Sequence, residues 1–149
     1  MTWSYIAGFF DGEGSIGHNG KGFRVTIPQT NEQVLQELKK FSKMGNVIAT
    51  AKRKAHWKDN WVYYVARQED VQVFLRRVLP HLIVKRSAVE QAIKKIAPLL
   101  VVQKQRATLA KHRREEVKIL REKGLSYRVI GRKVGIDWGY ARRLYLGKN

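Results

Sequence analysis

Two acidic residues near the N-terminus, Asp11 and Glu13, stand where a short helix is predicted to end. That position is electrostatically unfavourable, because the C-terminus of a helix already carries partial negative charge and carbonyl groups without partners. Carboxylates beside such carbonyl oxygens are, however, hard ligands of the kind that Mg²⁺ and Ca²⁺ bind. The alternative interpretation is that the two acids only decorate a glycine-rich turn. The apolar helix with spaced glycines that precedes them favours the cation site.

The helix that carries these acids is predicted over Trp3–Asp11, with Thr2 as its N-cap and the cluster Gly12-Glu13-Gly14 as its end. Gly8 and Gly12 lie four residues apart and therefore share one face of a helix. Because glycine has no side chain, the backbone of a second helix could approach this face closely. The spacing thus predicts a helix that packs against another helix and holds acids at its end.

The first hundred residues alternate between strand and helix patterns that would position this site. Strand and helix periodicities, with Pro80 and Pro98 as breaks, give the order α-β-β-α-β-β-α-α. This order predicts an α+β fold, in which helices cover one face of an antiparallel sheet and leave the other face polar. Strands are predicted over Ser15–His18, Phe23–Gln29, Asn46–Lys54 and Trp61–Arg67, and further helices over Asn31–Met44, Glu69–Leu79 and Leu82–Ala97.

The net charge of +18 is the strongest feature of the composition. Such an excess costs self-repulsion and usually serves a polyanionic partner, although a ribosomal or membrane-surface protein could carry the same charge. The charge is spread over both residues 1–100 and residues 101–149. The chain has no cysteine, which excludes disulfides and cysteine-ligated zinc and fits a reducing compartment. No apolar run approaches the roughly 20 residues of a membrane span. We therefore expect an intracellular protein located with nucleic acid, not secreted and without a membrane partner.

One face of the second predicted strand is polar and basic, because Arg24 and Thr26 alternate with apolar residues. A two-stranded ribbon of this kind fits the major groove of DNA. Strand residues are expected to read bases and turn lysines to contact phosphates, whereas the alternative is an ordinary solvated face. The candidate DNA-binding residues of the sheet are Lys21, Arg24, Thr26, Lys52, Lys54 and Lys58.

The C-terminal residues predict a separate all-α module. Pro98 and the segment 99–112 form a junction, for which a helical conformation is left open, and residues 113–149 contain three short helical patterns divided by glycines. Tyr127–Leu146 looks like the helix-turn-helix unit of site-specific recombinases and bacterial regulators, with Ser126 and Asp137 as N-caps. A plain three-helix packing module is the alternative. As a recognition helix, the last helix would present Trp138, Gly139, Arg142 and Arg143 to DNA.

The segment Ile6–Gly14, which reads IAGFFDGEG, resembles the nine-residue signature of the LAGLIDADG homing endonucleases. The order of elements in residues 1–98 is also the order of that family's fold, which has a saddle-like antiparallel sheet. The resemblance implies that two such helices pack along a two-fold axis, through Ile6, Gly8, Phe9 and Gly12. Because the chain has one copy of the motif, it implies a homodimer and a near-palindromic DNA target.

The resemblance also implies roles for individual residues. Glu13, with the Gly12 carbonyl as a second ligand, would hold Mg²⁺, or Mn²⁺ or Ca²⁺ in its place, beside the scissile phosphate. Lys85 matches the family's basic residue near the start of the last core helix, where it would stabilise developing charge. A polar residue at the end of the second strand usually positions water, and either Gln29 or Asn31 could serve.

The function implied is a site-specific, double-stranded DNA homing endonuclease from a mobile intron, an intein or a free-standing gene. It would hydrolyse phosphodiester bonds with divalent metal and no small-molecule cofactor, using residues 1–98 for catalysis, 99–112 as a junction and 113–149 for added DNA contacts. Two alternatives stay open. One is a catalytically silent DNA-binding regulator, although Glu13 and Lys85 are both present. The other is a maturase that helps an intron RNA to fold.

Overall fold

The structure is a computed structural model that describes residues 1–20, 22–52, 56 and 58–147. The chain divides into two compact units, Met1–Leu100 and Val101–Asn149. A short 3₁₀ turn, Leu79–His81, precedes the fourth helix. The elements in chain order are α1, Trp3–Glu13; β1, Ser15–His18; β2, Phe23–Gln29; α2, Glu32–Ser42; β3, Asn46–Thr50; β4, Asn60–Val65; α3, Gln68–Val78; α4, Arg86–Glu122; α5, Tyr127–Val134; and α6, Trp138–Leu146.

The first unit contains one four-stranded antiparallel sheet with the strand order β1-β2-β4-β3. Its register places Thr26 of β2 opposite Ser15 of β1 on one side and opposite Tyr64 of β4 on the other. The predicted order of elements and the predicted antiparallel sheet are therefore confirmed. So are the bounds of the first two strands.

Helices cover one face of this sheet. Along β2, Phe23, Val25 and Ile27 are buried, whereas Arg24 between them is exposed. Helices of eleven residues, such as α1 and α2, are marginal in water by themselves, so their stability comes from this shared core. The largest side chains of the core include Ile6, Phe10, Leu35, Leu38, Tyr63, Phe74, Leu75 and Ile96.

Several element ends differ from the prediction. Helix α1 continues two residues beyond Asp11 and ends at Glu13, because the N–H of the cap residue Gly14 still bonds the carbonyl of Phe10 at 2.9 Å. Strand β3 ends at Thr50 and pairs only as far as Asn60 of β4, so it is shorter than predicted.

Helix α4 differs most from the prediction, because it runs over Arg86–Glu122 with Pro98 inside it. A proline in a helix interior removes one hydrogen bond and costs roughly 3 kcal/mol. Core residues nonetheless continue at helical spacing past it, as Val89, Ile96 and Leu100 show, so packing outweighs the local cost. Although α4 is 37 residues long, the described part of the chain has no helix that is apolar enough to cross a bilayer.

The second unit has its own small core around α5 and α6. Gly135 ends α5 in the left-handed conformation, at φ 69°, and Gly131 allows the chain to turn back closely. A Cβ atom at position 131 would lie 2.7 Å from the carbonyl oxygen of Ile136. Ser126 and Asp137 cap the two helices, as expected. The buried residues are Val117, Ile130, Ala141 and Leu144.

Candidate metal centre and nucleic-acid interface

Helix α1 buries one side and leaves the opposite side open. Thr2 caps its start by accepting the N–H of Tyr5 at 3.2 Å, and Ile6, Ala7 and Phe10 are buried in the protomer core. Outside the helix's own backbone, no atom of the described residues lies within 4 Å of a Cβ atom placed at Gly8 or Gly12, and both glycines are exposed. The face with both glycines is therefore accessible to a second helix.

The prediction that Ile6 lies in a dimer interface is wrong, because this side chain is 0% exposed within its own protomer. Tyr5, at 53% exposure, occupies the open face instead, and its ring stacks on that of Phe9 at 6.2 Å between centroids. Tyr5 precedes Gly8 by three residues, a helical spacing that could have identified it from the sequence. Phe9 is partly buried and packs against the core.

Glu13, in the last turn of α1, is exposed and makes no hydrogen bond or ion pair with any described residue. It lies beside last-turn carbonyls such as that of Gly12, which have no partner within a helix. These oxygen donors fit a hard divalent cation such as Mg²⁺. Within the described residues, no group of three or more His, Cys, Asp or Glu side chains is placed to hold a metal ion.

Asp11, two residues earlier, is already engaged by the chain itself. Its Oδ2 accepts the backbone N–H groups of Ile83 and Val84, at 2.7 and 3.2 Å, and its Oδ1 accepts that of Lys85 at 2.9 Å. Desolvation of the carboxylate by burial opposes its ionisation, but the three N–H donors and the Lys85 ammonium outweigh that effect and lower the pKa of Asp11. Of the two motif acids, Glu13 is thus the one that remains available to a ligand.

Lys85 reaches the same end of α1. Its Nζ donates a hydrogen bond to the backbone carbonyl of Asp11 and lies 5.9 Å from the centroid of the Phe10 ring. The side chain is half-buried. A cation at the C-terminus of a helix is favourable, because it meets the negative end of the helix dipole. The structure therefore brings together Lys85 and the helix end that carries Glu13.

Gln29 and Asn31 differ in what their side chains already do. Asn31 caps α2, since its Oδ1 accepts the N–H of Val34 at 3.4 Å. Gln29 ends β2, and its Oε1 accepts hydrogen bonds from the backbone N–H and the hydroxyl of Thr30, at 2.8 and 3.2 Å. Its amide NH₂ group makes no hydrogen bond within the described residues.

The open face of the sheet carries Arg24 and Thr26 on neighbouring alternate positions of β2. Thr26 pairs with Ser15 through hydroxyls 2.7 Å apart, and Arg24 lies across Gly17, where a Cβ atom would be 2.8 Å from its Nε. Lys52 is exposed and forms an ion pair of 2.9 Å with Asp59. Lys58 is also exposed, whereas the predicted contacts Lys21 and Lys54 lie outside the described residues.

In the second unit, Trp138 and Gly139 begin α6, and Trp138 is 52% exposed. Arg142 and Arg143 are exposed, and the guanidinium carbon of Arg143 lies 5.8 Å from the Tyr140 ring. An open cleft of about 510 Å³ adjoins the turn between α5 and α6. Two of its lining residues, Arg128 and Arg132, lie on α5, whereas the basic DNA-binding residues predicted for this unit from the sequence lie on α6.

Known proteins resemble this chain in sequence or in fold. A sequence profile of the LAGLIDADG-like domain family matches residues 3–79. No curated protein sequence matches the chain. The homing endonuclease I-CvuI, solved in complex with its target in the presence of Ca, is similar over 99% of this chain and 95% of its own, at 20% identity and a TM-score of 0.53. The LAGLIDADG meganuclease I-AabMI, bound to uncleaved DNA, is similar over 78% of this chain and 44% of its own, at 16% identity and a TM-score of 0.53.

These structural likenesses show a shared fold. The profile match spans more than half of the chain and includes α1 with its acidic end, the whole sheet and α3. The chain therefore belongs to the family of LAGLIDADG-like domains.

Proposed function

We propose that the protein is a site-specific, double-stranded DNA homing endonuclease that hydrolyses phosphodiester bonds with divalent metal ions and acts as a homodimer. One observation carries the proposal. Glu13 is exposed at the end of a helix whose glycine face is open, and the ammonium of Lys85 is held at the same helix end. The structure of I-CvuI with its DNA target supports the choice of substrate.

A homodimer is proposed because cutting both DNA strands needs two catalytic sites and the chain has one copy of the motif. The open face of α1, with Tyr5, Gly8 and Gly12, is proposed to pack against the same face of a second copy around a two-fold axis. That packing brings the two Glu13 carboxylates together at the base of the interface. Two symmetric sites cut two strands, and a two-fold protein matches a near-palindromic target.

Glu13 and the Gly12 carbonyl would hold Mg²⁺, with Mn²⁺ or Ca²⁺ as replacements. Such a cation supplies an activated water and neutralises charge on the scissile phosphate. Lys85 donates one of its three ammonium N–H groups to the Asp11 carbonyl, so the other two can donate to a phosphate oxygen. We assign the orientation of the attacking water to the amide NH₂ of Gln29, since the side chain of Asn31 already caps α2.

Sequence recognition is proposed to use the open face of the sheet. Arg24 and Thr26 would contact base edges in the major groove, and an arginine fork matches the two acceptors of guanine. Lys52 and Lys58 would contact phosphates, together with Lys21 and Lys54 at their predicted positions. The net charge of +18, which is spread along the whole chain, supports binding to DNA.

The C-terminal helices are proposed to be a helix-turn-helix domain that lengthens the target site. In this division residues 1–98 are the nuclease core, 99–112 the junction and 113–149 the added domain. The capped pair α5 and α6, with glycine at the turn, supports the assignment. Recognition would use Trp138, Gly139, Arg142 and Arg143 of α6.

The test is cleavage of a randomised duplex library in Mg²⁺ or Mn²⁺, followed by sequencing of the new ends. We expect cuts within one near-palindromic sequence and none in the presence of a chelator. Glu13→Gln is expected to slow cutting by roughly 10²–10³-fold and to leave DNA binding intact, because it removes a ligand but no phosphate contact. Glu69→Gln, which alters a partly exposed acid of α3, is the matched control.

Two outcomes would overturn the proposal. Specific binding to duplex DNA without metal-dependent cutting in any ion would indicate a regulator. Tighter binding to a structured intron RNA than to duplex DNA, in the same filter-binding assay, would indicate a maturase.

A further inference from the structure

We propose that Asp11 is a positioning residue, which holds the turn ahead of α4 and, through that turn, fixes Lys85 beside the end of α1. The inference rests on the proposed nuclease function, in which Lys85 acts on the phosphate. It gives the first acid of the motif a task different from that of Glu13.

The turn before α4 has almost no side-chain packing to hold it. Ile83 is 87% exposed and Val84 is 77% exposed, whereas Leu82, just before them, is only 2% exposed. Two adjacent aliphatic side chains in solvent contribute little to the stability of the turn. The backbone of residues 83–85 must therefore be fixed by other interactions.

The Asp11 carboxylate provides those interactions for residues 83–85, while the Arg86 side chain bonds the carbonyls of Leu82 and Pro80 just before them. Asp11 accepts three consecutive N–H groups, those of Ile83, Val84 and Lys85, at distances of 2.7 to 3.2 Å. The hydrogen bonds of α4 begin at the next step, where the N–H of Val89 bonds the carbonyl of Lys85 at 3.0 Å. The three N–H groups have no partner within α4, so Asp11 satisfies donors that would otherwise lack one.

Lys85 is thereby held at both ends. Its N–H bonds the Asp11 carboxylate, and its ammonium bonds the Asp11 backbone carbonyl. A lysine side chain has four rotatable bonds, and fixing both ends removes most of its freedom before substrate arrives. Reactions lose rate steeply when a charged group is misplaced by as little as one ångström, so this constraint acts on the chemical step.

The geometry also separates the two motif acids. Both oxygens of Asp11 already accept N–H donors, whereas Glu13 has no partner among the described residues. A metal ligand must offer a lone pair directed outward, and Glu13 is the acid that does so. Asp11→Asn should thus leave the metal requirement unchanged, whereas Glu13→Gln should alter it.

A double-mutant cycle tests the positioning role. Single-turnover cleavage of target duplex is measured for the wild type, Asp11→Asn, Lys85→Met and the double variant, with DNA affinity measured alongside. We expect Asp11→Asn to slow cleavage by about 10–100-fold at unchanged DNA affinity, and to add no further loss in the Lys85→Met background. Equal losses in both backgrounds would overturn the proposal, because Asp11 would then act independently of Lys85.

A second measurement does not depend on cleavage. Reductive methylation followed by mass spectrometry reports the reactivity of each lysine amine, and the exposed Lys94 of α4 gives a reference rate. Lys85 should react more slowly than Lys94 in the wild type and approach its rate in Asp11→Asn, whereas Glu69→Gln should change neither. If Lys85 is as reactive as Lys94 in the wild type, or unaffected by Asp11→Asn, the positioning role is wrong. Lysine reactivity can be measured even if the protein does not cleave DNA. Failure of the positioning role can therefore be distinguished from failure of the proposed nuclease function.

Discussion

Asp11 and Lys85 are joined at two points, because Oδ1 of Asp11 accepts the N–H of Lys85 at 2.9 Å and the Lys85 ammonium donates to the Asp11 carbonyl. The two residues are 74 positions apart in the chain. The last turn of α1 and the start of α4 therefore form one hydrogen-bonded assembly. Glu13 lies in that same turn, so the candidate metal ligand and the Lys85 ammonium are at the same end of α1.

The first prediction concerns the pH dependence of stability. Folding lowers the pKa of Asp11, so its ionised form is favoured in the folded state. The resulting stabilisation is fully present above the ordinary aspartate pKa of about 3.9 and is lost as pH falls through the lowered value. Wild type should be more stable than Asp11→Asn at pH 6, and the difference in their free energies of unfolding should shrink towards pH 3. Urea titrations of both proteins at pH 6 and pH 3 measure this difference in the free energy of unfolding.

Glu69→Gln is the control for this experiment, because the ion pair of Glu69 with Arg67 is exposed and contributes little. A stability difference between wild type and Asp11→Asn that stays constant from pH 6 to pH 3 would contradict the assignment of the three N–H bonds to an ionised carboxylate.

Much of the first unit could be predicted from local patterns. The strand bounds Ser15–His18 and Phe23–Gln29 follow from alternation and a glycine-rich turn, and these signals act over a few residues. The contacts of Asp11 could not be predicted, because its partners lie 72 to 74 positions away and are backbone groups, which no side-chain pattern marks. That Glu13 and not Asp11 remains available to a ligand is clear only once the contacts of Asp11 are known.

Two errors have a common physical origin. The sequence predicts a dimer interface at Ile6 and a helix end before Pro98, but tertiary packing decides both positions. A stripe of apolar residues on α1 does not indicate which side meets the protomer's own core and which side meets a partner. A proline is a strong local signal for a break, yet Leu100 beyond it is buried in the core. Packing over a whole helix outweighs one missing hydrogen bond.

The second prediction follows from Pro98. Because proline lacks an N–H group and crowds the preceding turn, Pro98→Ala should stabilise the protein, by up to about 3 kcal/mol. The gain is reduced by the greater flexibility that alanine gives to the unfolded chain. The free energy of unfolding from urea titration measures the change. A loss of stability would mean that the packing of Leu100 requires a distortion that proline creates.

The third prediction separates protomer folding from dimerisation. Gly8→Leu should not destabilise the protomer, because no described atom outside the helix's own backbone lies within 4 Å of a Cβ at this position. Glycine costs a helix roughly 0.8–1 kcal/mol relative to alanine, and leucine ranks just below alanine. Gly8→Leu should weaken the proposed homodimer, because a large side chain prevents close approach of two helix backbones. Sedimentation at several protein concentrations measures the dimer, and urea titration measures the protomer.

Ala97→Leu is the matched control, since it places the same side chain on an exposed position of α4. The proposed interface would be wrong if Gly8→Leu and wild type dimerised equally well, or if Ala97→Leu weakened the dimer as much as Gly8→Leu does.

The fourth prediction concerns α6 and the salt dependence of DNA binding. Arg142 is exposed on α6, next to a buried Ala141 that fixes the orientation of the helix. If Arg142 contacts a phosphate, Arg142→Gln should weaken binding similarly for all sequences and reduce the slope of log affinity against log salt by about one. If Arg142 contacts a base edge instead, sequence specificity should relax at one position of the target.

Lys94→Gln is the control, because it removes the same charge from an exposed position of α4. It should change neither the salt slope nor the specificity, because overall charge alone does not create a localised contact. Equal effects of the two substitutions would mean that the C-terminal helices contribute only through net charge.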